Sequence, residues 1–145
     1  MESSPEVEAR RAELVRAAPL SPRGLWLATE WNGRSVVFLC GTVGAAFDAW
    51  QRKLAATSAA DAYLAQQIGL DAVEKVMDEL ETRSRSGVEG KRLTPRRSPG
   101  YGDLPFELSR EIINRLDATK KIGVSITDSN LLVPSKSVTA ICEIK

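Results

Sequence analysis

Three stretches of the sequence carry residue types that could do chemistry. In Cys40-Gly41-Thr42-Val43-Gly44, a thiol and two glycines stand where an apolar run passes into a helical pattern. Backbone N–H groups and the helix dipole favour an anion or a thiolate at such a junction, so this is a candidate nucleophile or phosphate cradle. In Lys91-Arg92-Leu93-Thr94-Pro95-Arg96-Arg97-Ser98-Pro99-Gly100-Tyr101, four cations crowd one segment beside an aromatic ring. That pattern can contact phosphates or an acidic protein surface, and Tyr101 offers a stacking plane. The acids Asp61, Asp71, Glu74, Asp78 and Glu79 could hold a metal or form an acid–base pair.

Each candidate competes with a simpler account. The chain has no histidine, which removes Ser-His-Asp triads, Cys-His dyads and the commonest zinc sites, because all of these need imidazole. Without a general base, Cys40 reads as a small buried hydrophobe. The glycines beside it lack the GxGxxG and GxxxxGK[ST] spacings of phosphate loops, and serve a tight turn with Thr42 as a helix cap. Helix capping and i,i+4 pairing account for most of the acids. Asp128-Ser129-Asn130 lacks the spacing and terminal Glu of a calcium loop and reads as a turn. Trp26, Trp31 and Trp50 read as core or interface anchors. No catalytic residue, cofactor or metal is therefore expected, and an enzyme would have to work through carboxylates or Cys40 without imidazole. The basic segment is the best lead, with Lys91, Arg92, Arg96, Arg97 and Tyr101 as its binding residues. Its own simpler account is a solvated, mobile loop with no partner, open to modification at its Thr-Pro and Ser-Pro steps.

The elements that position these residues follow from pattern and length. At 145 residues, with 43% hydrophobic and 27% charged side chains, the chain suits one folded domain. Its net charge of +1 means that any attraction to a polyanion must come from local clustering. Two cysteines, Cys40 and Cys142, form no CxxC pair, and no secretory pattern opens the sequence, so reduced thiols and a cytoplasmic location are expected. No apolar run reaches the ~20 residues that span a bilayer.

Asn32-Gly33 is the pair best suited to a two-residue turn at positive φ, and apolar runs flank it on both sides. The resulting hairpin sets Trp31 against Arg34, Thr29 against Val36, Leu27 against Phe38 and Leu25 against Cys40. Both of its faces are apolar away from the turn, so its base must lie between two layers. At the turn, Arg34 is placed to lie over the Trp31 ring. Ser4-Pro5-Glu6 starts a helix ending near Ala18. Phe47, Trp50 and Leu54 mark another, Ser58 and Asp61 begin a third that Gly69 can close, and Asp71 with Glu74 begins a fourth carrying Val73, Val76, Met77 and Leu80. Leu108, Ile112, Ile113 and Leu116 line a helix after the basic segment. Ile122–Ile126 and Val138–Ile144 alternate as strands, with a turn and Pro134 between them.

Strands in adjacent pairs favour antiparallel pairing. The expectation is an α+β fold: a small antiparallel sheet, made of the N-terminal hairpin plus two C-terminal strands, packed against several helices. It forms a single domain over 1–145 with a flexible basic loop at 86–102. Leu104-Pro105-Phe106-Glu107-Leu108-Ser109-Arg110-Glu111-Ile112-Ile113-Asn114-Arg115-Leu116 resembles the opening of an F-box. The β-pattern that follows departs from that family, and no function is carried over. The expected function is that of a non-catalytic interaction, assembly or accessory protein. Its partner is another protein or a second copy of the chain, with no membrane contact. Nucleic-acid binding through 91–101 is the alternative.

Overall fold

Asn32 and Gly33 take φ of 50° and 73°, the two positive angles that a two-residue hairpin turn needs to match the twist of its strands. The computed structural model describes residues 4–88 and 91–145. In chain order the elements are α1 (Pro5–Ala17), β1 (Arg23–Trp31), β2 (Arg34–Thr42), α2 (Ala45–Thr57), α3 (Ala59–Gly87), α4 (Leu108–Leu116), α5 (Ala118–Ile122), β3 (Ser125–Ile126), β4 (Leu132–Val133) and β5 (Ser137–Glu143). This is the expected α+β class, and β1 and β2 pair in the register read from the turn, with Trp31 opposite Arg34 and Leu25 opposite Cys40.

The sheet has three antiparallel strands in the order β1-β2-β5, and β3 and β4 form a separate two-stranded sheet. Of the two C-terminal strands, only the last joins the hairpin. The run from Ile122 divides instead, because Ile122 ends α5 and Gly123 turns the chain at φ 72° before the short β3. β2, in the middle of the sheet, is buried on both faces. One face packs Val37, Leu39, Ala140 and Cys142 under Phe47 of α2 and Met77 and Leu80 of α3. The other packs Val36, Phe38, Cys40 and Ile141 under Leu108, Ile112 and Leu116 of α4. At about 25 cal/mol per Å² of apolar area removed from water, these two layers supply the main stabilisation of the sheet.

The third and fourth helices of the sequence reading are one helix of 29 residues. Ser58 caps it as expected, its Oγ accepting the Asp61 N–H at 3.1 Å. Gly69 does not close it. A Cβ at that position would lie 2.6 Å from Phe47 Cε1, so this glycine serves the close approach of α2 to α3. Asp71 and Glu74 consequently sit mid-helix and act through ion pairs, Asp71 to Arg11 and Glu74 to Arg96. The cap of α2 also shifts: Gly44, at φ 91°, occupies that position, and Thr42 Oγ1 accepts its N–H.

Candidate functional site

The basic segment divides along its length. Ser86 and Gly87 complete α3, and Glu89 and Gly90 lie outside the described residues. From Lys91 the chain runs antiparallel to β5 along its free edge. Arg92 N–H donates to Lys145 O at 3.0 Å and Lys145 N–H returns to Arg92 O at 2.7 Å. Thr94 N–H donates to Glu143 O, Glu143 N–H donates to Thr94 Oγ1, and Arg97 and Ile141 exchange both backbone bonds at 2.9 Å. Between Lys91 and Arg97 the segment is thus a tethered edge of the sheet.

Extended backbone sends successive side chains to opposite faces, and Arg96 and Arg97 follow that rule. Arg96 turns toward α3 and meets three carboxylates one helical turn apart: Glu74 at 2.6 Å, Asp78 at 2.8 Å and Glu81 at 2.5 Å. Its side chain is only 19% exposed. Burial opposes its charge, but the hydrogen bonds to Asp78 and Glu81 more than offset this, and the guanidinium holds its proton more tightly than an ordinary arginine. Arg97 turns to the α4 side and pairs with the single carboxylate of Asp103 at 2.7 Å, with 44% of its side chain exposed. The guanidinium of Arg97 holds the Asp103 carboxyl below the usual range, and the more distant Arg34 adds to the effect.

Arg97 and Asp103 flank a cleft of about 190 Å³. Arg34 and Glu143, paired at 2.6 Å, stand on its rim, and Trp31, Val36, Leu104 and Ile141 supply apolar lining. Arg34 reaches Glu143 of β5 instead of the Trp31 ring. Beyond the cleft, Tyr101 is 72% exposed and Phe106 65% exposed. Gly100 makes the turn there at φ 91°, and a Cβ on it would run into the Phe106 ring.

Of the five residues singled out from the sequence, the fold brings Arg97 to the cleft with Tyr101 further along the same segment. Arg96 is committed to α3, and Lys91 and Arg92 remain exposed. The cleft residues that sequence reasoning missed, Arg34, Asp103 and Glu143, come from three separate parts of the chain. Only the pairing of β2 with β5, which sets Val36 opposite Glu143, brings Arg34 to that acid. Lys136 was also missed. It is 7% exposed, its Nζ lies 5.9 Å from the Phe47 ring centroid, and burial lowers its pKa. Cys40 is buried, as read, and Cys142 is buried as well: burial pushes Cys40 up to about 12 and Cys142 up to about 11. Among the described residues, no cluster of acids and thiols is arranged to hold a metal, and no helix is long and apolar enough to cross a membrane.

By architecture, the chain is an α+β fold built on a three-stranded antiparallel sheet, with a charged cleft at the turn end of its hairpin. Among solved structures it is similar to the one described as the crystal structure of the MetH reactivation domain bound to AdoHcy, at a TM-score of 0.68 and 16% identity. The likeness covers 95% of this chain and 63% of that one, so this chain spans just under two thirds of that structure's length. At that identity it is a likeness of fold. No family model matches the sequence, and no curated protein matches it.

Proposed function

We propose that this chain is a non-catalytic accessory domain that acts by contact, presenting the 97–106 part of its basic segment to a protein partner or to a second copy of itself. The observation that carries this reading is the way the segment is held. Backbone pairing to β5 and a four-membered ion cluster on α3 fix its stem, while its tip leaves Tyr101 and Phe106 exposed. A rigid stem lowers the ordering cost of association, and exposed aromatic rings are the side chains that most often dominate interfaces. The structure of similar fold is described as a reactivation domain bound to AdoHcy, which makes AdoHcy the first small molecule to offer the chain.

Size-exclusion chromatography with light scattering over a range of concentrations tests self-association. Self-association that Tyr101→Ser with Phe106→Ser abolishes supports the tip as the contact surface. A strict monomer removes the second copy as partner, and calorimetry then decides whether AdoHcy binds. A monomer that also gives no heat with AdoHcy would leave the reading without support. Nucleic-acid binding is the second reading and now leans on the exposed Lys91 and Arg92, because Arg96 and Arg97 already face carboxylates. A mobility shift at low salt that disappears in Lys91→Ala with Arg92→Ala would favour it instead.

A further inference from the structure

We propose that the cleft beside Arg97 binds a small zwitterion, an α-amino acid or the amino-acid end of a larger molecule. Arg97 receives the carboxylate and Asp103 the ammonium. This goes beyond the partner surface described above and stands on the cleft alone.

Two cation–anion pairs ring the mouth, Arg97 with Asp103 at 2.7 Å and Arg34 with Glu143 at 2.6 Å. The two positive and two negative groups cancel, so the ring offers no net attraction to a simple anion or a simple cation. A molecule carrying an ammonium and a carboxylate on one carbon is different. It can enter between an arginine and its acid and give each group a new partner of the right sign. Opening the Arg97–Asp103 pair costs little, because both side chains are well exposed and solvated ion pairs contribute little on their own. The bonds regained are charge-assisted and partly screened from water by the cleft walls. Arg34 also acts on Asp103, so the two pairs share one field and the acid stays ionised for an ammonium.

Size and lining narrow the ligand further. A cleft of about 190 Å³ falls below the roughly 300–1,000 Å³ of sites that enclose a drug-sized molecule. It therefore fits a group of amino-acid size. Trp31, Val36, Leu104 and Ile141 would face an apolar side chain. The recognising groups are already placed, since the Arg97 backbone is fixed to Ile141 by two hydrogen bonds at 2.9 Å whatever its side chain does.

The test is titration of isotope-labelled protein, followed by nuclear magnetic resonance, with L-methionine and L-leucine, and then with N-acetyl-L-methionine and L-methionine methyl ester. Saturable shifts at Val36, Arg97, Leu104 and Ile141 are expected with at least one free amino acid. Blocking either charge should weaken binding about tenfold or more, the scale set by losing one charged hydrogen bond. Arg97→Ala and Asp103→Asn should each do the same with the rest of the spectrum unchanged, and Lys91→Ala should bind as the parent does. The proposal is overturned if neither free amino acid gives a saturable shift. It is equally overturned if the acetylated form binds as well, which would mark an anion site, or if the ester does, which would mark a cation site. The oligomeric state is read separately by light scattering, so failure here is distinct from failure of the partner reading.

Discussion

Arg96 and Arg97 are chemically identical neighbours, yet they take up different work on opposite faces of the sheet. Arg96 lies against α3, largely covered and shared by three acids of one helix face. Arg97 lies on the α4 side, half exposed, with one exposed acid as partner and a cleft in front of it. A count of cations treats them as equal members of one basic patch. The pleat separates them, and the number and burial of the carboxylates decide which one is structural and which is open to a ligand.

The sharpest way to break this contrast is to show that the two faces differ in something other than their arginines. Both should behave as full core. Met77→Ala on the α3 face should cost about 2–5 kcal/mol and Phe38→Ala on the α4 face about 3–5 kcal/mol, measured by urea unfolding. A loss below about 1 kcal/mol at either position would mean that its face is not packed as described. Next comes Arg96→Ala, which leaves three carboxylates crowded without their shared cation. It should cost about 2 kcal/mol and lower the thermal midpoint by several degrees. Arg97→Ala should leave both quantities within measurement scatter, since its ion pair is solvated. Equal losses at the two arginines would erase the distinction.

Acid titration sharpens the contrast with a smaller effect. The Asp103 carboxyl has a lower pKa folded than unfolded because of Arg97. Its contribution is therefore present above the ordinary carboxylate range and fades as pH falls through the folded value. In Arg97→Ala that acid-side loss should shrink and the Asp103 carboxyl resonance should titrate at higher pH; an unmoved titration would separate the pair. The smallest effect concerns the thiols, one on each face. With Cys40 pushed up to about 12 and Cys142 up to about 11 by burial, neither should react with a disulfide reagent at pH 8 until the chain unfolds. A rapidly reacting thiol would identify the face that opens.

What the sequence discloses here is local geometry. The Asn32-Gly33 turn, the register of β1 with β2, the Ser4 and Ser58 caps and the buried stripe of α4 all follow from neighbours within a few residues of one another. Gly69 misleads because its role is set by Phe47, more than twenty residues away in the sequence. The basic segment misleads for a similar reason. Proline, glycine and charge describe a loop well, but whether a loop is free depends on an open strand edge at Ile141–Lys145 and on three acids of α3. The cleft was the least legible feature, since its four charged groups meet only once β2, β5 and the 97–103 turn are in place.

The tethered segment also bears on how this protein would fare at high concentration. Val138-Thr139-Ala140-Ile141-Cys142 is an uncharged, β-prone run, the kind of strand that recruits copies of itself into cross-β stacks when its edge is bare. Residues 92–97 occupy that edge from Ile141 to Lys145. Of that run they cover Ile141 and Cys142, and the ion cluster at Arg96 ties the covering segment to α3, which leaves less bare edge for such pairing.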